Sequence, residues 1–233
     1  IYKIKTQHSI DDLIITNEHP IYVLKNQKKG VNYSTIKNRL EKKLIDFEWS
    51  EVKEITQDDM IAFPIPEYNK DISSISEEDC YVYGVILGDG CMNNNNTNGY
   101  ISLHSVNKKD VLNRVERYFN NKFINSRIEV NNNTTRIYWS KTINMPFRYN
   151  DVYNVHKEKY INSRWLNLPI EKSKYIIKGL IDTDGCKNKE LLFDNTSRAL
   201  VEGLRFLCLK MGILTSGYER NRIGDTHTTK YGD

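Results

Sequence analysis

Two aspartates occupy matching positions, near the ends of two similar apolar segments. Asp89 is the eighth residue of VYGVILGDG (82–90), and Asp184 is the eighth residue of IKGLIDTDG (177–185). Both segments have glycine at the third position and Asp-Gly at the end. A single Asp-Gly pair usually marks only a turn. Because the pair recurs at the same place in two similar segments, we interpret the aspartates as a functional pair.

Small residues in these segments would allow two helices to pack closely. Gly84 and Gly88 are four residues apart, as are Gly179 and Thr183, so each pair lies on one face of its helix. Without bulky side chains between them, the helices can pack backbone against backbone. We expect this packing to bring the two aspartates together across a pseudo-twofold axis.

Two adjacent carboxylates predict a particular chemistry. They repel each other unless a cation lies between them. A divalent metal bound there would neutralise a scissile phosphate, lower the pKa of a bound water and stabilise the leaving oxygen. The pattern therefore favours metal-dependent hydrolysis of phosphodiesters.

The elements that must position Asp89 can be read from the residues around it. A capping box at Ser76 predicts the start of its helix, and a strand follows over 99–106. An amphipathic helix comes next, and SRIEV (126–130) and TRIYWS (135–140) then form a hairpin. The apolar face of the amphipathic helix consists of Val111, Leu112, Val115 and Phe119.

The same order of elements recurs around Asp184. A helix starts at Pro169, a strand follows over 190–195, and TSGYERNR (215–222) begins another hairpin. Between them lies a helix that ends at Gly212 and whose apolar face consists of Leu200, Leu204, Leu207 and Met211. We therefore expect an α+β fold in which 76–233 is a pseudo-twofold domain of two helix–strand–helix–hairpin repeats. The repeats are 76–165 and 166–233, and the second copy is truncated.

The paired segments resemble the two signature helices of double-motif LAGLIDADG homing endonucleases. YIIKGLIDTDG is the closer match to the motif, which has two acidic residues. Its Asp182 matches the first of them, whereas the first segment has Leu87 at that position. NSRWLNLPIEKSKYIIKGLIDTDGC and SRALVEGLRFLCLKMGI also resemble the regions before and after the second motif. The resemblance implies an enzyme, acting as a monomer, that cuts both strands of DNA at a long specific site.

The resemblance also implies roles for individual residues. Asp89 and Asp184 would bind Mg²⁺, helped by the backbone carbonyls of Gly88 and Thr183. A lysine at the end of the second hairpin strand would help to order the attacking water. Lys141 occupies that position in the first repeat.

The hairpin of the first repeat is expected to contact DNA. Alternation places Ile128 and Val130 on one face of the first strand, and Ile137 and Trp139 on one face of the second. The opposite face is polar and basic, and a ribbon of this size fits the major groove of DNA. The predicted DNA-facing residues are Arg127, Glu129, Asn131, Arg136, Tyr138 and Ser140.

Residues 1–66 have a different sequence pattern. Short segments in which apolar and polar residues alternate predict strands, and polar stretches between them predict turns. LIITNEHPIYVL, followed by WSEVKEITQDDMIAFPIP, resembles the N-terminal part of the Hint domain of inteins, which carry out protein splicing. The resemblance implies that Thr16 and His19 assist the first acyl shift, and that host exteins flank the chain in a precursor. We expect 67–75 to be a connector. The chain starts at Ile1 and ends in KYGD, so splicing is not expected of this fragment.

Composition excludes several other classes of protein. With 34 Lys and Arg against 30 Asp and Glu, the net charge of +4 is too small for a histone-like tail protein. No apolar run is long enough to cross a membrane. The four cysteines have no metal-ligand spacing, which favours a reducing intracellular compartment, set by the host protein.

Two alternative functions remain open on the sequence. LAGLIDADG folds also serve as RNA maturases, which assist splicing of introns without cutting DNA. A second alternative is a DNA-binding relic whose nuclease activity has been lost.

Overall fold

The structure of the protein is a computed structural model that describes residues 1–27, 30–67, 69–94, 98–140, 144–187 and 190–221. The chain divides into two compact units, Ile1–Pro64 together with the residues from Leu214, and Ile65–Ile213. The residues from Leu214, placed by the sequence in the second repeat, thus group with the first unit. No helix in the described ranges is long and apolar enough to cross a membrane.

The first unit consists mainly of short antiparallel strands. Two of them, β1 and β2, pair with each other, and β3 lies between β4 and β5 in a three-stranded sheet. Ile21, Val23 and Val52 form its small core. The elements are β1 (Tyr2–Ile4), β2 (Leu13–Ile15), β3 (Pro20–Leu24), α1 (Tyr33–Glu41), β4 (Glu48–Glu51), a 3₁₀ turn (Val52–Glu54) and β5 (Met60–Ile61).

Helix α1 corrects the expectation that 1–66 contains only strands and turns. The side chain of Asn32 accepts a hydrogen bond of 2.9 Å from the backbone N–H of Ser34 and so caps the helix. Ile36 is the one buried residue of the helix. Because one buried side chain gives almost no apolar periodicity, the cap was the main local signal.

The first repeat of the second unit contains two helices and a four-stranded sheet. Its elements are α2 (Glu77–Asp89), β6 (Gly90–Met92), β7 (Asn98–His104), α3 (Lys109–Asn121), β8 (Asn125–Asn131) and β9 (Thr134–Ser140). The strands are antiparallel in the order β6-β7-β9-β8. The capping box of α2 is confirmed, since Ser76 and Asp79 bond to each other's backbone N–H.

The second repeat has the same order of elements as far as its amphipathic helix. Two short helices precede it, and the elements are α4 (Tyr149–Val152), α5 (Ser163–Leu166), α6 (Ile170–Asp184), β10 (Gly185–Lys187), β11 (Leu191–Phe193) and α7 (Arg198–Lys210). The hairpin predicted from Thr215 is wrong for the described residues, because none as far as Asn221 lies in a strand. Tyr218 is the only large apolar residue there, and it is exposed, so no alternating face forms.

Helices α2 and α6 pack directly against each other, which confirms the predicted close packing of their small residues. A Cβ atom on Gly84 would overlap the carbonyl oxygen of Ile176, and one on Gly179 would lie 2.8 Å from the backbone nitrogen of Val85. A Cβ on Gly88 would likewise overlap the side chain of Thr183. Only glycine permits this approach at these positions.

Candidate active site

The two aspartates end α2 and α6 on the same side of the second unit. Gly84 faces Gly179 and Gly88 faces Thr183, so the two helices run in the same direction and their C-terminal ends meet. Asp89 and Asp184 are the last helical residues, and a strand follows each directly. The structure therefore brings this predicted pair together.

The charges around Asp89 affect its ionisation. Burial first, and then the negative charge of Asp184, raise the pKa of Asp89 to about 6. The positive charges of Lys159 and Lys108 act in the opposite direction. The net effect disfavours the ionised form of Asp89.

Lys159 is a site residue that the sequence analysis missed. It lies between α4 and α5, and its Nζ donates a hydrogen bond of 2.5 Å to the carbonyl oxygen of Gly88. Burial lowers the pKa of Lys159, whereas the charges of Asp184 and Asp89 raise it. The predicted Lys141 lies outside the described residues. In the sequence, Lys159 belongs to the polar run HKEKY, which carries no periodic signal that could have identified it.

Lys108 approaches the site from the first repeat. Its Nζ donates a hydrogen bond of 2.6 Å to the backbone carbonyl of Asp182, in the last turn of α6. The carboxylate of Asp182 accepts hydrogen bonds from Tyr81 Oη at 3.0 Å and from Lys178 Nζ at 2.7 Å. Both lysines thus bind carbonyls near helix C-termini, where a cation is favourable.

The chemistry of these groups fits a hard divalent cation. Carboxylate and carbonyl oxygens are the ligands that Mg²⁺ and Ca²⁺ prefer, and Asp89, Asp184 and the Gly88 carbonyl supply them. The carbonyl accepts from Lys159 but has a second lone pair. Among the described residues, no group of three or more His, Cys, Asp or Glu side chains could hold a metal. The chain would therefore contribute two carboxylates, and other oxygens would complete the coordination.

A polar face of the four-stranded sheet carries the residues predicted to contact DNA. Strand pairing places Arg127 opposite Tyr138 and Glu129 opposite Arg136, and directly paired residues share a face. Asn131 and Ser140 fall on the same face by alternation, and β7 adds Tyr100, Ser102 and His104 through its pairing with β9. The sheet thus presents a continuous band of polar and aromatic groups.

The opposite face is apolar only in part. Ile137 and Trp139 of β9 are buried, as predicted. Ile128 and Val130 of β8 lie on the same face as predicted, but they are 44% and 66% exposed. The reason is position in the sheet: β8 is an edge strand, with a neighbour on one side only.

A family of known proteins matches part of the chain. Residues 171–231 match a LAGLIDADG-like domain. The match begins inside α6 and includes Asp184, whereas Asp89 and the first repeat lie outside it.

Two longer proteins of Methanocaldococcus jannaschii also resemble the chain. One is described as an ATP-dependent DNA helicase, Hel308, and is 27% identical over 210 residues, which cover 86% of this chain and 17% of the helicase. The other is an uncharacterized protein, 23% identical over 282 aligned positions, covering 99% of this chain and 34% of that protein. The chain therefore spans about a sixth and a third of these relatives.

Solved structures of the homing endonuclease I-DmoI show a weaker likeness. A structure of mesophilic variants has a TM-score of 0.45 at 18% identity, covering 60% of this chain and 79% of that one. A complex with DNA and Ca has the same score and identity, covering 60% and 74%. A complex with DNA and Mn has a TM-score of 0.44 at 19% identity, covering 59% and 79%.

The residues predicted for splicing lie in the other unit. Thr16 and His19 occupy the turn between β2 and β3, and both are exposed. The backbone N–H of His19 donates to the carbonyl of Thr16 at 3.3 Å, and the carbonyl of His19 accepts from Val52 N at 3.1 Å. These residues therefore belong to a different compact unit from Asp89 and Asp184.

Proposed function

We propose that the chain contains a LAGLIDADG homing endonuclease that makes a metal-dependent double-strand cut in DNA. The observation that carries this proposal is the meeting of Asp89 and Asp184 at the ends of two closely packed helices. The pKa of Asp89, raised to about 6 by burial and by the charge of Asp184, supports it. A bound divalent cation would favour the ionised form of both carboxylates. The retention of both aspartates disfavours a relic without nuclease activity.

Four groups would hold the metal: the carboxylates of Asp89 and Asp184 and the backbone carbonyls of Gly88 and Thr183. When bound, Mg²⁺ would neutralise the scissile phosphate and lower the pKa of a water molecule. Lys159 would place its ammonium group against the phosphate oxygens and stabilise the charge that develops there. We assign Lys141 a similar role in ordering the attacking water.

DNA would lie along the polar face of the sheet. Arginines on this face can pair with phosphates or with guanine edges, and Asn131 can read adenine. Arg127 lies 5.1 Å from the ring centre of Tyr138, and Arg136 lies 5.8 Å from that of Tyr100, so both guanidinium groups are oriented by aromatic neighbours. We expect a monomer to bind a long, specific duplex site.

The direct test of this function is cleavage of a randomised DNA duplex library by the full chain with Mg²⁺, followed by sequencing of the cut ends. We expect one long sequence motif to be enriched, and no enrichment with Asp184→Asn. Asp110→Asn is the matched control, because this exposed acid lies in the first turn of α3. No motif with any of the three proteins would contradict the proposal.

Binding to the selected site gives an independent check. Each neutralised phosphate contributes about −0.9 to the slope of log affinity against log salt concentration for duplex DNA. Contacts along the whole sheet should therefore give a slope of several units. A slope near zero, or tighter binding to the matching RNA, would favour the maturase function instead.

We further propose that the nuclease is part of an intein. In this assignment 1–66 belongs to a Hint domain, 67–75 is a connector and 76–233 is the nuclease, with host exteins outside the chain. The β-rich first unit supports it, as does the alignment of this chain with only a sixth and a third of two longer proteins. Such an element would work in the intracellular compartment of its host. The test is splicing of an intact precursor, which His19→Ala should block.

A further inference from the structure

Asn195 contacts one of the two aspartates directly. It lies between β11 and α7, and its Nδ2 donates a hydrogen bond of 2.9 Å to Oδ2 of Asp184. Its Oδ1 accepts a hydrogen bond of 2.9 Å from the backbone N–H of Ser197. Because one end of the amide needs a donor and the other an acceptor, these two partners fix its orientation.

Ser197 continues the same chain of contacts towards the other aspartate. It is buried, and its hydroxyl accepts from the backbone N–H of Leu200, which caps α7. The same hydroxyl donates to the backbone carbonyl of Lys159 at 2.5 Å. The ammonium group of Lys159 in turn binds the carbonyl of Gly88, next to Asp89. A continuous series of hydrogen bonds therefore links Asp184 to the backbone beside Asp89.

The described residues of the first repeat contain no equivalent of this series. Asn195 is the third residue before the start of α7, and the third residue before α3 is Val106, whose side chain is 72% exposed. Lys108 stands where Ser197 would be, and it makes no capping hydrogen bond within the described structure. The part of the chain that the structure describes also shows no hydrogen bond to the carboxylate of Asp89. The two aspartates are therefore held in different ways.

We propose that Asn195 and Ser197 are positioning residues of the metal site, an inference that rests on the proposed function. Asn195 fixes the carboxylate of Asp184, and Ser197 fixes the backbone from which Lys159 reaches Gly88. The short loop before α7 thereby positions both the carboxylate of Asp184 and the ammonium group of Lys159. Groups that orient a metal ligand in this way typically change metal affinity or activity by about 10–100-fold when they are removed.

The test is calorimetric titration of the full chain with Mn²⁺, which requires no DNA target. We expect Asn195→Ala to weaken Mn²⁺ binding by about 10–100-fold. Asn195→Ser keeps an oxygen that can bond the backbone of Ser197 but is too short to reach Asp184, so it should weaken binding to a similar extent. Urea denaturation of each variant shows whether the fold is retained.

Ser197→Gly tests the second link. Glycine is nearly as good as serine at a helix N-cap, so α7 should persist while the bond to Lys159 is lost. We expect slower DNA cleavage, unchanged DNA affinity, and little further loss when Ser197→Gly is added to Lys159→Met. The control is Ser76→Gly, at the N-cap of α2 and so at the far end of that helix from Asp89.

The outcomes separate this inference from the proposed function. Wild-type Mn²⁺ affinity in both Asn195 variants, or fully additive losses for Ser197 and Lys159, would overturn the inference while leaving the nuclease assignment intact. Absence of Mn²⁺ binding and of DNA cleavage by the wild-type chain would overturn both.

Discussion

Replacing Asp89 with asparagine should stabilise the protein in the absence of metal, although it removes a residue at the centre of the proposed site. The ordinary pKa of the carboxyl is 3.8, and burial together with the charge of Asp184 raises it to about 6. Folding therefore makes ionisation of Asp89 less favourable. Asparagine has nearly the same shape as the carboxyl group but carries no charge, so it avoids this cost.

The expected magnitude follows from the pKa difference. A rise of about two units corresponds to about 3 kcal/mol at 1.4 kcal/mol per unit. Because the carboxyl is only partly buried and solvent screens its charge, we expect Asp89→Asn to raise the free energy of unfolding by about 1–3 kcal/mol at pH 8. The folded protein holds its proton more tightly, so wild type loses this stability as pH rises from 3.8 to about 6.

Urea denaturation in EDTA at pH 4 and pH 8 measures this effect. The stabilisation should be present in full at pH 8 and should nearly vanish at pH 4, where wild-type Asp89 is largely protonated. Asp110→Asn controls for the loss of a negative charge at an exposed position. An Asp89→Asn protein that is equal to or less stable than wild type at pH 8 would refute the electrostatic reasoning.

Three further perturbations test other parts of the account. Gly179→Ala should destabilise the fold by about 1–3 kcal/mol or more in urea denaturation, since its methyl group would meet the backbone of Tyr81 and Val85; Gly203→Ala, which meets only the side chain of Ile161, should cost less. Lys159→Met should slow cleavage by about 10²–10³ with DNA affinity unchanged in a binding assay; wild-type rates would exclude Lys159 from the site. His19→Ala should leave cleavage unaffected while blocking precursor splicing, and the reverse result would show that the two units do not divide these activities.

The packing of α2 against α6 could be predicted from the sequence because several local signals agreed. Ser76 and Asp79 marked the start of α2, and the spacing of Gly84 and Gly179 indicated the packing face. The apolar run of α2 is buried almost throughout, so its pattern and its environment match. Agreement among capping, spacing and burial is what made this part predictable.

Lys159 could not be found in the same way. It lies outside any helix or strand, and it reaches Gly88 only because the tertiary fold brings residues 71 positions apart into contact. The series from Asn195 through Ser197 also depends on this fold. Local sequence patterns describe single elements, whereas these contacts connect α2, α6 and the start of α7.

The exposure of the apolar residues of β8 could not be predicted for a different reason. Alternation correctly placed Ile128 on the same face as Ile137, but it gives no information on which strand lies at the edge of a sheet. The order β6-β7-β9-β8 leaves β8 with one neighbour, and Ile128 remains half exposed.

The central claim is that Asp89 and Asp184 form one divalent-metal site. Calorimetric titration of wild type, Asp89→Asn and Asp184→Asn with Mn²⁺ at pH 8 tests it most directly. We expect Mn²⁺ to bind the wild-type protein and its affinity to fall by more than about 100-fold in each variant, which exceeds the effect of removing a residue that only orients a ligand. Wild-type affinity in either variant would contradict a shared site.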